Sequence, residues 1–361
     1  MKIELKHLED LSLGSVFLAT GGGGDPYVPC LIAQQAIKQF GPVQLISPDE
    51  LDDDAYIVAI GAVGAPTVSL ELLPSVDDAV RTLEGFEQHV GLTVDAVASF
   101  EIGGGNSLIP IVAAAGRGLA VIDGDGMGRA LPEAQMMSYA IAGVKPTPAV
   151  AYDYAGNITT FATKSTEVYE RYIRSLAMAA GGMITTAEHP MTGSELKKSI
   201  IPGTLSFSIK LGQTLREHRG LTLELLEPLQ ALFKDSIYGE CRLIYTGKIV
   251  DKTTRVVGGF DIGEATIESF QRDDSPLTIS IKNEYLIARK GEKVVASVPD
   301  LIVILDYETS TPINAERLRY GQRVAVFAIG CPQFYRSEEA LKVVAPRCFG
   351  FDIDYVALED I

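Results

Sequence analysis

The residues best suited to chemistry lie in the stretch VIDGDGMGRALPE, residues 121–133. It places Asp123, Asp125, Arg129 and Glu133 directly after a short apolar run. A carboxylate near another acid can serve as a general base, and a guanidinium can hold an oxygen through two N–H groups. A connecting turn needs glycine and aspartate, but it does not need three carboxylates and a guanidinium. We therefore predict that the aspartates are catalytic and that the arginine and the glutamate bind substrate.

Two glycine-rich turns supply further polar groups. The turn TGGGGDP contains Gly22 and Gly23, whose backbone N–H groups can approach a ligand closely because glycine has no Cβ. The turn EIGGGNS places Glu101 and Asn106 on either side of three glycines that include Gly104. We predict a catalytic role for the glutamate and substrate binding for the asparagine and the glycines.

Three other roles compete for these turns: nucleotide binding, calcium binding and a purely structural role. TGGGGDP lacks the Lys-Ser/Thr pair of a P-loop and the G-x-G-x-x-G order of a dinucleotide fold, so no nucleotide cofactor is expected. The D-x-D spacing begins a calcium loop, but Met127 and Ala134 stand where oxygen ligands belong. Each turn taken alone also fits a purely structural role, because aspartate and glycine favour turn conformations.

His189 is a further catalytic candidate. It lies in TTAEHPMTGSELKKS, outside the helical pattern and next to a proline, and histidine is the usual general acid or base near neutral pH. An exposed loop histidine is the competing interpretation. A divalent metal such as zinc, held by Asp123, Asp125 and His189, would activate water, although no local ligand spacing indicates a metal site. Metal binding stays open.

The elements that must position these residues follow two patterns. In residues 1–165 short apolar strands alternate with helices, which predicts an α/β domain with a mostly parallel sheet. In residues 166–361 a helical segment precedes strands with a two-residue period, which predicts an antiparallel β-rich domain, a barrel or a sandwich. Because ligands of open parallel sheets bind beyond the carboxyl ends of the strands, we expect the three polar turns to meet on one rim.

Several elements can be bounded from the pattern. Single strands are expected at residues 119–123 and 277–289, and helices at residues 132–142, 166–180, 194–215 and 221–232.

Composition excludes several classes of partner. The formal charge is −16, from 47 acidic and 31 basic side chains, so nucleic acid and anionic lipid are not expected to bind. Four widely spaced cysteines fit a reducing cytosol rather than a disulfide scaffold. No apolar stretch is long enough for a membrane span, and the charged N-terminus lacks a signal core. A cytoplasmic protein that forms a homo-oligomer is the expectation.

The motifs also resemble those of a known family, the S-methyl thiohydantoin desulfurases. The resemblance spans nearly the whole chain and is most specific in DGDGMGRALPE. It implies an α/β N-terminal domain and a β-rich C-terminal domain. The motifs that carry it are TGGGGDP, FEIGGGNS, VIDGDGMGRALPE, PMTGSELKKSIIPGTLS, NEYLIAR, PDLIVILD and APRCFGFDIDY. Glu101 and Asn106 match the family's E-x-G-G-x-N pattern, while Asp123, Asp125, Arg129 and Glu133 fall in its D-x-D-G-M-G-R element.

The resemblance implies a small-molecule substrate and a hydrolytic reaction that removes sulfur from a thiohydantoin or hydantoin-like ring. In the expected mechanism Asp123 or Asp125 activates water, Arg129 holds the substrate, and glycine N–H groups stabilise negative charge. The alternative is a non-catalytic, ligand-binding partner of a hydantoinase or oxoprolinase.

Overall fold

The computed structural model describes residues 1–64, 74–220, 222–258, 260–271 and 274–361. Two sheets organise the described chain. The first contains nine strands in the order β1-β2-β5-β4-β3-β8-β6-β7, with β9 paired to β5. Its elements, with the helices between them, are β1 Lys2–Ile3, α1 Leu5–Leu18, α2 Tyr27–Phe40, β2 Val43–Ile46, β3 Tyr56–Gly64, α3 Val76–Val90, β4 Ala96–Ser99, α4 Ile109–Arg117, β5 Ala120–Asp125, α5 Ser138–Ile141, β6 Ala149–Tyr152, β7 Ile158–Phe161, α6 Thr166–Ala179, β8 Met183–Thr192, α7 Gly193–Ser199, β9 Ile201–Pro202 and α8 Thr204–Glu217.

The centre of this sheet is parallel, and its flanks are antiparallel. Strands β2, β5, β4 and β3 pair in parallel, whereas β1, β8, β6, β7 and β9 join in antiparallel pairs. The central strand β4 is buried along its whole length, as expected for a strand covered by helices on both faces. The predicted α/β architecture is confirmed, and the sheet is mixed.

The second sheet contains seven antiparallel strands in the order β14-β13-β12-β11-β10-β16-β15. This confirms the β-rich C-terminal part. Its elements are α9 Thr222–Lys234, β10 Cys241–Val257, β11 Phe260–Ser269, β12 Leu277–Lys282, β13 Glu284–Lys290, β14 Lys293–Ser297, β15 Leu301–Asp306, β16 Arg323–Ile329 and α10 Glu338–Val344.

Four predicted elements need correction. The strand at 119–123 continues to Asp125, because β9 pairs with its last two residues. The strand at 277–289 is two strands, since Asn283 adopts a left-handed φ of 57° between β12 and β13. The helix at 132–142 is a 3-10 turn followed by the short α5, and the helix at 194–215 is divided into α7 and α8 by β9.

Helices α1 and α8 approach each other through two glycines, and this contact positions the glycine turn that follows α1. A Cβ on Gly14 would lie 1.9 Å from the carbonyl oxygen of Ser208, and one on Gly212 would lie 1.7 Å from that of Asp10. Arg216 adds a bidentate ion pair to the Asp10 carboxylate at 2.7 and 3.1 Å. Only glycine permits backbones to come this close.

Among the described residues, no helix is long and apolar enough to cross a membrane.

We predict that Gly212→Ala lowers the free energy of unfolding by about 2–3 kcal/mol, because the methyl group forces two helix backbones apart. Gly85→Ala is the matched control, since its Cβ would approach nothing more closely than the tip of Ile158, at 3.1 Å, and alanine favours a helix by about 1 kcal/mol. Urea unfolding measures both variants. Equal free energies of unfolding for Gly212→Ala and Gly85→Ala would contradict the close approach of α1 and α8.

Candidate active site

A pocket opens at the carboxyl ends of the parallel strands. Gly64 ends β3, while Glu101 and Met127 follow β4 and β5, and all three line the pocket. Met183 lies beside Gly64 because β8 runs antiparallel to β3. Glu284, the first residue of β13, lines the pocket from the second sheet. This edge of the sheet is where ligands of open α/β folds bind.

The two glycine turns pack directly against each other at the pocket wall. The Gly105 N–H donates to the Gly23 carbonyl oxygen at 2.9 Å. A Cβ on Gly104 would lie 2.3 Å from that same oxygen, and a Cβ on Gly22 would lie 2.1 Å from Oε1 of Glu284. The glycines are therefore required for close packing of the turns and of the glutamate.

Glu101 is held in one orientation by Asn106. The side-chain oxygen of Asn106 accepts the Ala62 N–H at 2.7 Å, which identifies its other end as nitrogen. That nitrogen donates to the Ala62 carbonyl at 3.2 Å and to Oε1 of Glu101 at 2.6 Å. Oε2 of Glu101 is buried without a partner. Burial raises the pKa of Glu101 well above its ordinary value, and the charges of Glu284 and Asp125 raise it further. Because Oε1 accepts from Asn106, the proton of the acid form resides on Oε2.

Glu284 is the second buried carboxyl in the wall. It follows the left-handed Asn283, and its Oε2 also lacks a partner. Burial raises its pKa to about 8, while the positive charges of Arg129, Lys282 and Arg174 oppose that shift. Both protonation states are therefore accessible near neutral pH, as general acid–base chemistry requires.

A third buried carboxylate, Glu188, lies on the β8 side of the pocket. Its Oε2 accepts the hydroxyl of Tyr169 and, at 3.2 Å, that of Thr186. Its Oε1 is 3.3 Å from Nδ1 of His189. Burial raises the pKa of Tyr169 well above its ordinary value, so the phenol stays a donor.

His189 occupies an unusual position for a strand residue. It is fully buried in β8 with a left-handed φ of 50°, and neither ring nitrogen has a hydrogen-bond partner. It does not line the pocket but adjoins Glu188, which does. The interpretation as an exposed loop residue was wrong, because β8 runs through the sheet between β3 and β6.

Two other glutamates of the pocket wall form ion pairs. Glu133 pairs with Lys282 at 2.5 Å, and Glu170 pairs with Arg174 at 2.6 Å. Both cations also stack on the ring of Phe260, at 4.3 and 4.2 Å from its centre. Glu133 lines the pocket as a carboxylate already neutralised by lysine.

Asp125 is a structural clamp and does not line the pocket. Its Oδ2 accepts the backbone N–H groups of Ile102, Met127 and Gly128 at 2.8, 2.9 and 2.8 Å. These bonds tie the turn after β4 to the turn after β5. Burial raises the pKa of Asp125 to about 7.

Arg129 is fully buried beneath the pocket and does not line it. Its guanidinium donates to Oγ1 of Thr20 at 2.7 Å and to the carbonyls of Pro299, Asp300 and Ala130 at 2.8, 2.9 and 2.9 Å. The expectation that Arg129 holds substrate disagrees with this geometry, because its donors are used by the protein itself.

The side chains considered as possible metal ligands, Asp123, Asp125 and His189, have separate neighbours. Asp123 accepts the Ser206 N–H at 3.0 Å in the first turn of α8, Asp125 binds three backbone N–H groups, and His189 adjoins Glu188. Among the described residues, no three His, Cys, Asp or Glu side chains form a group that could hold a metal ion.

The thiols are unsuited to nucleophilic attack. Burial raises the pKa of Cys331 and of Cys241 to about 12 and that of Cys30 to about 11. Burial also raises the pKa of Cys348, the exposed cysteine. All four lie in the described part of the chain and outside the pocket wall, and a thiol rather than a thiolate is a poor nucleophile.

Two family models match the two halves of the chain. The model described as "S-Me-THD-like, N-terminal domain" matches residues 6–163, and "S-Me-THD-like, C-terminal domain" matches residues 164–358. The chain belongs to the S-Me-THD-like family. The resemblance to S-methyl thiohydantoin desulfurases is thereby confirmed at the level of the family.

A solved structure shares the fold of this S-Me-THD-like protein. A crystal structure of a protein from Chromobacterium violaceum superposes with a TM-score of 0.80 at 23% sequence identity, over 99% of this chain and 100% of that chain. At this identity the likeness shows the fold alone. No curated protein matches the chain.

The structure divides the ten predicted site residues of this S-Me-THD-like protein into two groups. Those in the pocket wall are Gly23, Glu101, Asn106 and Glu133, and those outside it are Gly22, Gly104, Asp123, Asp125, Arg129 and His189. Glu284 and Glu188 were missed. The sequence contains a signal for each. Glu284 is a charged residue directly before the apolar stretch YLIA, and Glu188 directly precedes His189.

We predict that Asp125→Asn folds with wild-type stability, whereas Asp125→Ala loses about 3 kcal/mol or more. Asparagine keeps an acceptor oxygen for the three buried N–H groups, and alanine leaves all three without a partner. Urea unfolding at pH 7 separates the two variants. An alanine variant as stable as wild type would argue against the clamp.

Proposed function

We propose that this protein hydrolyses the carbon–sulfur bond of an S-methyl thiohydantoin-type ring, at the ring carbon between two nitrogens. Membership of the S-Me-THD-like family supports the class of ring. The observation that carries the chemistry is the pair Glu101 and Glu284, two buried carboxyls of the pocket wall that each keep one oxygen without a partner. Two carboxyls in different electrostatic surroundings suit separate acid and base roles.

Glu284 is assigned the base. Arg129, Lys282 and Arg174 favour its ionised form, so it loses its proton at about pH 8 despite complete burial. A carboxylate with a pKa near the working pH accepts a proton from water more readily than an ordinary carboxylate.

Glu101 is assigned the acid. The charges that raise its pKa, those of Glu284 and Asp125, are both negative, and burial acts in the same direction. Asn106 occupies Oε1, which leaves the proton on the free Oε2. Glu101 therefore retains its proton when Glu284 has lost one.

In the proposed reaction, ionised Glu284 removes a proton from water as the water oxygen bonds to the ring carbon. The tetrahedral intermediate then loses sulfur as its carbon–sulfur bond breaks, and Glu101 protonates the departing sulfur. The products are methanethiol and a ring carbonyl. Glu284 gives the proton that it took from water to the ring nitrogen, and the hydroxyl proton of the intermediate passes to Glu101 as the carbonyl forms. Both carboxyls thereby return to their starting states.

We predict that Glu101→Gln and Glu284→Gln each reduce the rate of thiol release by about 10²–10⁴-fold, the range expected for loss of a general acid or base. Both changes preserve side-chain shape. Glu292→Gln is the matched control, because Glu292 is an exposed residue in the turn at the opposite end of β13. Thiol release from an S-methyl thiohydantoin, measured colorimetrically, decides the result.

Near-normal rates in both variants would contradict the assigned roles. A wild-type protein that binds the ring without releasing thiol would contradict the hydrolase and favour the ligand-binding partner of a hydantoinase or oxoprolinase.

The pH dependence provides an independent test. Because the base form of Glu284 is required and its pKa is about 8, we predict that kcat/KM rises with pH up to about 8. Loss of the Glu101 proton then lowers kcat/KM at higher pH. In Glu284→Gln the rising limb should disappear from the residual activity. A rate that falls steadily from pH 6 to pH 8 would reverse the two roles.

A further inference from the structure

The inner pocket has more carboxyl oxygens than cations to pair with them. Three other acidic residues of the wall have a cationic partner: Asp25 pairs with Arg317, Glu133 with Lys282, and Glu170 with Arg174.

Glu101 and Glu284 differ from those residues. They are 7% and 2% exposed, and each retains a buried oxygen without any hydrogen-bond partner. In the described part of the chain, no Lys or Arg nitrogen forms an ion pair with either residue.

The nearby buried cation cannot satisfy these oxygens. Arg129 acts on Glu284 through space, but its hydrogen bonds go to Thr20 and to backbone carbonyls. Glu101, Asp125 and Glu284, all buried, outnumber the guanidinium of Arg129. A buried carboxyl without a partner costs free energy that a cationic ligand with N–H donors would offset.

The rest of the wall suits a flat ring. Phe100, Met127, Leu131 and Ile173 line the same pocket with apolar side chains. A planar cation with N–H groups, with ionised Glu284 at its edge and apolar groups at its faces, matches this distribution.

We propose that the pocket binds its ring substrate as a cyclic amidinium-type cation, with a ring N–H group donating to ionised Glu284 while Glu101 keeps its proton. This inference relies on the proposed function for the choice of ring. The S-substituted ring has an imine-type nitrogen that can take up a proton to form such a cation, whereas both nitrogens of the carbonyl product are of the amide type and are far less basic. The pocket therefore holds the substrate more tightly than the product, and the positive charge makes the ring carbon more open to attack by water. The ring nitrogen then carries its proton from the start, and the proton that Glu284 takes from water returns to solvent.

The test measures binding and does not require turnover. The full-length protein is titrated by calorimetry with 2-aminoimidazolinium, a cyclic guanidinium that carries no sulfur, and with imidazolidin-2-one, its neutral counterpart of the same size. We expect the cation to bind at least about tenfold more tightly, a difference that one charge-assisted interaction can supply.

Proton release gives a second readout. Burial and the neighbouring charges of Arg129, Lys282 and Arg174 set the pKa of Glu284 at about 8, so at pH 7 the cation should displace up to one proton. Titrations in buffers of different ionisation enthalpy measure that release, which should vanish above pH 9. The neutral ring should release none.

Glu284→Gln should abolish the preference for the cation, and Glu292→Gln should keep it. Equal binding of the two rings, or a preference that survives in Glu284→Gln, would overturn the inference. Saturable binding of Zn²⁺ that excludes the cation and is lost in Glu284→Gln would also overturn it. Cation binding with the expected variant effects but without thiol release would support the inference and contradict only the proposed hydrolysis.

Discussion

The buried guanidinium of Arg129 is the interaction on which the pocket depends. It joins the glycine turn after α1, through Thr20, to the loop before β15, through the carbonyls of Pro299 and Asp300. The two sheets are thereby fixed relative to each other directly beneath the pocket. A fully buried arginine stays charged, so its carbonyl partners and the acids around it are required together. Tyr238 and Tyr335 reinforce the same region by donating to the carbonyls of Gly128 and Gly126.

This charge also sets the chemistry of the wall. Burial alone would keep Glu284 protonated, and the positive charge of Arg129 brings its pKa back to about 8. Burial raises the pKa of Glu101 well above its ordinary value, and the neighbouring charges of Glu284 and Asp125 raise it further against the hydrogen bond from the Asn106 amide. The two carboxyls therefore differ in proton affinity through their surroundings rather than through their residue type. The difference arises where residues from both sheets meet.

Some residues of the polar turns seen in the sequence hold the turns in place, and others lie in the pocket wall. Asp125 uses its carboxylate to join the turn after β4 to the turn after β5, and the glycines near Gly23 and Gly104 allow the turn after α1 to pack against the turn after β4. These residues support the site although Asp125 and Gly104 lie outside the pocket wall. Motif residues can thus mark a site by supporting it: the richest motif, DGDGMGR, contributes only Met127 to the described pocket wall, and its charged residues lie outside that wall.

The sequence by itself determined the class of fold, the family, and the edge of the sheet where the pocket lies. Alternating strands and helices, followed by two-residue periodicity, are local patterns, and the carboxyl-end rule then locates the rim. It also singled out Glu101 and Asn106, because a glycine turn after a buried strand exposes its polar neighbours. Tertiary structure decided which acids face the pocket. Whether a charged side chain is used by the protein itself or faces the pocket depends on segments that are distant in sequence. Ser206 binds Asp123 in this way, and Thr20 binds Arg129. Glu284 comes from another sheet altogether, and only the packing of β13 against the glycine turn, with Gly22 leaving room for its carboxylate, brings it beside Glu101.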